Sequence, residues 1–157
     1  KIIKEAFEKM EPVEGRLQLI KEHEGIKIYN DNNATTPDAT VAGLDAVSDG
    51  MNVILIMGGA DKNIALDTLI EKMAQNVHRV LLLPGTGTDR LMKEYDLKDN
   101  GIQHHNAYHI KDALNVAIDI ARKGDVILFS PAFASFGQFV NEYEKNDEFV
   151  KAVDELK

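Results

Sequence analysis

NVILIMGG, residues 52–59, is the stretch on which the fold turns. From Val53 to Met57 the apolar residues follow one another without a polar break. A strand that shows one face to water alternates apolar and polar positions, whereas an unbroken run is apolar on both faces. This strand therefore belongs inside a sheet covered on both sides. The Gly-Gly that ends it marks a tight turn. Working outward, a helical pattern occupies about 64–76, the strand RVLLLPG follows at 79–85, and a short helix lies near 88–95. A weak strand near 102–105 precedes the periodic helix IKDALNVAIDIARKG (110–124), which closes on Gly124. The apolar strand DVILFSPA (125–132) comes next, and a helix near 144–157 ends the chain. Upstream, LQLIKEH and IKIYN form two short strands within 17–30, joined at Glu24-Gly25 by a hairpin-like turn. A helix over 38–48 follows them, with Thr36 as its N-cap and Pro37 in its first position. Apolar strands alternating with helices predict a single α/β domain: a doubly wound, mostly parallel, Rossmann-like sheet with helices on both faces.

The 157 residues suffice for one domain that buries roughly two-thirds of its unfolded surface. A formal net charge of −8 argues against nonspecific binding to nucleic acid or to a membrane surface, since both are anionic. No basic block reverses that conclusion, and no apolar run reaches the length of a membrane span. There is no cysteine, which excludes disulfides and thiol chemistry and fits a cytosolic protein. The chain begins KIIKEAF without an initiator Met, so it is read as either a processed chain or a piece of a longer one.

In open parallel sheets, ligands bind beyond the carboxyl ends of the strands. Three loops at such ends are unusually small or polar: NDNNATT (30–36), MGGADKN (57–63) and FSPAFASFG (129–137). The first holds far more small polar groups than one cap and one turn require. In the second, Gly58 and Gly59 allow a tight turn, and Lys62 lies near the expected start of the 64–76 helix. A cation there opposes the helix dipole, so Lys62 is either a solvated turn residue or the holder of an anion. In the third, Ser135 reads as a helix N-cap, as part of a carboxylate pocket built from helix-start amides, or as both. GTGTDR (85–90) lacks the Lys-Ser/Thr ending of a P-loop and does not satisfy GxGxxG, so it reads as a loop and helix cap. His104, His105 and His109 come without accompanying carboxylate spacing, and they read as surface residues rather than metal ligands. The acidic run 141–157 reads as the solvated face of the last helix.

Taken in order, GRLQLI, YNDNNAT, GGADK and SPAFASFGQFVNEYEKNDEF resemble the C-terminal domain of the Mur ligases, over about residues 12–157. SPAFASFGQF with NDEF downstream is the most specific part, and YNDNNAT favours the D-glutamate-adding branch. The resemblance implies an ATP-dependent amide ligase that adds D-glutamate to UDP-N-acetylmuramoyl-L-alanine during peptidoglycan precursor synthesis in the cytoplasm. It also implies ATP and Mg held mainly by a central P-loop domain. No G-x-x-x-x-G-K-[ST] run occurs here, so residues 1–157 are expected to be the isolated third domain, inactive alone and working with the remaining domains of the same polypeptide.

Residue by residue, the resemblance assigns Arg16 and Asp31 to ATP, as an exposed cation and a ribose- or phosphate-side acceptor. It assigns Thr35 and Lys62 to the side-chain carboxylate of D-glutamate, and Ser135 with the backbone around Phe136 to the α-carboxylate. It names no catalytic residue and no metal ligand within this domain alone. Two departures from the family pattern stand out. Asn33 and Thr36 stand where the common Asp-Ser-Lys-Ala-Thr-Asn motif has Lys and the final Asn, which removes a positive charge near the phosphates. Glu142, beside Tyr143, stands where the family often has Phe. The alternatives are another Mur-type or folylpolyglutamate-type ligase domain, or a free-standing nucleotide- or anion-binding module without catalysis.

Overall fold

The structure is a computed structural model that describes residues 13–135 and 142–156. β1 (Gln18–His23) and β2 (Ile26–Asn30) form the expected antiparallel hairpin, turning at Glu24 and Gly25, whose φ angles are +52° and +81°. α1 (Pro37–Val47) starts as the sequence predicts: the Thr36 hydroxyl accepts from the Ala39 amide at 3.3 Å, and Pro37 opens the helix. The chain continues through β3 (Val53–Met57), α2 (Asp67–Asn76), β4 (Val77–Leu82) and α3 (Thr86–Glu94). It ends with β5 (His104–Asn106), α4 (Ile110–Ile120), β6 (Val126–Phe129) and α5 (Glu142–Asp154).

The sheet order is β1-β2-β6-β3-β4-β5, and every pairing except β1–β2 is parallel. Alternate side chains of one strand feed opposite layers. Val53, Leu55 and Met57 join Leu44 of α1, Leu69 and Met73 of α2 and Leu91 of α3 on one face. Ile54 and Ile56 join Ile110 and Leu114 of α4 and Phe149 of α5 on the other. This two-sided burial is what the unbroken VILIM run demands, and it makes the domain a three-layer α/β/α unit. No helix among the described residues is long and apolar enough to cross a membrane.

Three expectations shift. α2 starts at Asp67 rather than near 64, because Asn63 adopts a left-handed φ of +56° that interrupts a helical path. α4 ends at Ile120, and the residues toward Gly124 form a turn in which the Asp125 carboxylate accepts from the Arg122 amide at 2.8 Å. α5 is not wholly a solvated face, since it buries Lys145, Asn146, Phe149, Ala152 and Val153.

The topology locates a site. β6 is inserted between β2 and β3, which α1 connects across it. The crevice beyond the carboxyl ends of these three strands is where the order reverses, the usual ligand position in open α/β sheets.

Candidate functional site

The crowding of small polar residues after β2 has a structural explanation for most of its members. Asn30 is buried; its amide donates to Asn146 Oδ1 of α5 at 2.8 Å, and its own oxygen accepts from the Asn32 amide at 3.1 Å. The Asn33 side chain donates to the Glu14 carbonyl at 3.1 Å, and its backbone amide donates to the Gly15 carbonyl at 2.9 Å. Thr36 caps α1. Thr35 is the residue whose hydroxyl faces the crevice, where it accepts from Lys62 Nζ at 3.1 Å.

Asp31 is only 7% exposed. Its Oδ1 accepts from the Leu17 amide at 3.0 Å and its Oδ2 from the Ser130 hydroxyl at 2.9 Å. A hydroxyl carries one proton, so with Ser130 donating to Asp31, the Thr40 hydroxyl 2.8 Å away donates to Ser130. Burial pushes the Asp31 carboxyl above its ordinary range; the Ser130 and Leu17 hydrogen bonds and the Arg16 charge oppose that shift without cancelling it. Asp31, which the resemblance makes a ribose- or phosphate-side acceptor, is a buried carboxyl that ties the ends of β2 and β6 to the start of the hairpin. Arg16 is exposed beside it, and the two also line a shared depression.

The loop after β3 has little conformational choice. Gly58 and Gly59 adopt φ of +142° and +145°. A Cβ on Gly58 would lie 2.3 Å from the Leu83 carbonyl oxygen, and one on Gly59 would lie 2.3 Å from that of Ala134. Only glycine allows this approach. It permits Ala60 and Ala134 to exchange two hydrogen bonds, at 2.9 and 3.0 Å, which join the β3 and β6 loops. Ser135 lies one residue beyond this bridge. Its Oγ is shielded from solvent and has no hydrogen-bond partner among the described residues. Phe136 lies outside the described residues, as does the segment on which the reading of Ser135 as a helix cap depends.

Lys62 is exposed, five residues before α2, so the helix-dipole argument does not apply to it. Its ammonium makes no ion pair among the described residues. A cation and a hydroxyl thus stand side by side at the strand ends, with no carboxylate on the cation among the described residues. A cavity of about 420 Å³ opens beside Thr35, lined also by Arg16, Asn32, Tyr143 and Asn146 and by the acidic Glu14 and Asp147. Thus Arg16 and Thr35 share a cavity, and Lys62 reaches Thr35. Among the described residues no group of three or more His, Cys, Asp or Glu side chains comes together to hold a metal.

Sequence reasoning missed the support behind Lys62. GTGTDR reads as a loop and cap, and it does begin α3, yet it also braces the β3 loop. The Gly87 amide donates to the Gly59 carbonyl at 2.9 Å, and the Asp61 amide donates to Thr86 Oγ1 at 3.0 Å. Arg90 Nη1 donates to Asp61 Oδ1 at 3.1 Å and to the Ile64 carbonyl at 3.0 Å. The glycine density of that string was the available signal. Ser130, Thr40, Asn30 and Asn146 gave none, because their partners are distant in sequence.

The fold and its crevice define an α/β domain that places an exposed cation beside a hydroxyl at its topological switch point. Residues 15–133 match the family described as "Mur ligase, glutamate ligase domain", and the chain belongs to that family. It is 36% identical over 153 residues to the UDP-N-acetylmuramoylalanine--D-glutamate ligase of Roseiflexus sp. (strain RS-1), covering 97% of this chain and 32% of that protein. Among solved structures it is similar to the murein peptide ligase mpl from Psychrobacter arcticus 273-4, with a TM-score of 0.61 and 19% identity over 98% of this chain and 32% of that one. It is also similar to the MurF ligase from Thermotoga maritima in complex with ADP, with a TM-score of 0.52 and 16% identity over 93% of this chain and 33% of that one. The chain spans about a third of the length of the curated relatives it matches.

Proposed function

We propose that this chain is the amino-acid-binding, C-terminal domain of an ATP-dependent ligase that adds D-glutamate to UDP-N-acetylmuramoyl-L-alanine in cytoplasmic peptidoglycan precursor synthesis. The observation that carries the reading is the Lys62 ammonium held 3.1 Å from Thr35 Oγ1 without a carboxylate partner among the described residues. D-Glutamate is a dicarboxylate and needs two anion sockets. Lys62 and Thr35 take the side-chain carboxylate, and the Ser135 hydroxyl with the backbone near Phe136 takes the α-carboxylate. With both carboxylates held, the amino group is the one functional group left free, and it is thereby oriented for attack. In the full enzyme ATP phosphorylates the nucleotide-sugar carboxylate, the amine attacks the acyl phosphate, and phosphate leaves. Arg16 faces the nucleotide, with Asp31 beneath it as the second ATP-side residue. ATP and Mg are held mainly by a further domain of the polypeptide, and this domain alone turns nothing over.

An amino-acid panel with the full-length enzyme tests the reading. ATP-dependent amide formation with D-glutamate, well above L-glutamate, L-lysine or D-aspartate, is the expected result, with none from the 157-residue chain by itself. Preference for another amino acid would overturn the substrate, and turnover by the isolated chain would overturn the division of labour.

A further inference from the structure

Arg90, the last residue of GTGTDR, lies on α3. Its side chain is 20% exposed and reaches across to the loop that carries Lys62. One nitrogen, Nη1, bridges the Asp61 carboxylate and the Ile64 carbonyl, so the guanidinium grips the loop on both sides of Lys62. Nε donates to Glu94 Oε1 at 3.0 Å, which fixes the fork from its own helix. The same Asp61 oxygen also accepts from the Asn63 amide at 2.9 Å, and the Asp61 amide is held by Thr86.

Asp61 is adjacent in sequence to Lys62. A free carboxylate there would pair with the ammonium and would repel an incoming dicarboxylate. Its titration matches that of an engaged group: partial desolvation pushes it up, but the Asn63 amide together with the hydrogen bond and charge of Arg90 hold it below the usual carboxylate range.

We infer that Arg90 is a positioning residue that masks Asp61, keeping the Lys62 ammonium available to the carboxylate of the amino-acid substrate. The inference rests on the proposed role of Lys62. It assigns Arg90 two effects on one loop: holding its path at Ile64 and neutralising its carboxylate at Asp61. Nη1 makes both contacts with its two protons, while Nε anchors the guanidinium to Glu94.

The test is the D-glutamate Michaelis constant of the full-length enzyme in a set of variants, with ATP kinetics and thermal melting measured alongside. Arg90→Gln is expected to raise the D-glutamate constant about tenfold, within the coupling range of residues in one hydrogen-bond network, with the ATP constant little changed. Adding Asp61→Asn to Arg90→Gln is expected to restore most of the loss. The amide at position 61 still accepts from Asn63 but no longer competes for Lys62. A scaffold-only role predicts the opposite, because the second substitution breaks the brace further. Asp61→Asn alone is expected not to raise the constant, and it keeps the test decisive if Arg90→Gln fails to fold. A double variant as impaired as Arg90→Gln, or an impaired Asp61→Asn, overturns the inference. If Lys62→Ala leaves D-glutamate use unchanged, the reading of Lys62 beneath it has failed. If Lys62→Ala impairs D-glutamate use while Arg90→Gln does not, only the role of Arg90 is refuted.

Discussion

Gly59→Ala puts the architecture of the crevice to a quantitative test. At φ of +145° a residue with a Cβ is strained, which costs about 1–3 kcal/mol. The methyl group would also sit 2.3 Å from the Ala134 carbonyl oxygen, well inside van der Waals contact, so backbone has to move. The movement falls on the two hydrogen bonds of the Ala60–Ala134 bridge, each contributing about 0.5–1.5 kcal/mol. A relaxed loop recovers part of this, and the expected destabilisation is about 2–5 kcal/mol. Urea denaturation of this chain measures it, with an unchanged slope showing that the unfolded state is not the source. The bridge places Ser135 beside the Lys62 loop, so the same variant in the full-length enzyme is expected to weaken D-glutamate more than ATP. A stability loss below about 1 kcal/mol, with D-glutamate kinetics intact, would refute the claim that close approach of these two loops builds the site.

Two further predictions concern the core and the buried carboxylate. Phe149→Ala removes a fully buried ring whose centroid is 4.5 Å from that of Phe129, and it is expected to cost about 3–5 kcal/mol in urea denaturation. Asp31 has a folded-state pKa raised above its ordinary 3.8, so the folded protein takes up its proton more readily than the unfolded chain. The stability linked to this group is complete below that ordinary value and declines as pH rises through the raised one. Asp31→Asn is expected to abolish this part of the pH dependence. Parallel stability profiles for the two proteins from about pH 4 upward would contradict the assignment.

The layers of the fold were legible because burial on both faces writes itself into consecutive residues: VILIM cannot be a half-exposed strand. The start of α1 was equally plain, since Thr36 and Pro37 act through local geometry. Element ends were less so. α2 begins late because Asn63 is left-handed and Arg90 holds the Ile64 carbonyl, and neither constraint has a local signature. The three loops could be chosen from sequence because strand ends in parallel sheets are where ligands go, and the structure brings together Lys62 and Thr35, two residues that the resemblance pairs. The dipole argument offered for Lys62 fails, although the residue lies in the crevice all the same. The supporting set was illegible for one reason. Arg90 with Asp61, Ser130 with Asp31 and Asn30 with Asn146 are pairs made by topology, and a single sequence does not show which distant residues the sheet brings together.

The most direct test of the account is the D-glutamate affinity of Lys62→Ala in the full-length enzyme. Removing a charge-assisted hydrogen bond is expected to cost about 1.5–3 kcal/mol of binding. At about 1.4 kcal/mol per decade this is roughly a ten- to hundredfold weakening. Lys62 is exposed, so the melting temperature is expected to change little. That pair of results, weak D-glutamate and an intact fold, is what the account predicts. An unaltered D-glutamate response accompanied by a large loss of stability would show that Lys62 is a structural turn residue and that the crevice does not hold the amino acid as described.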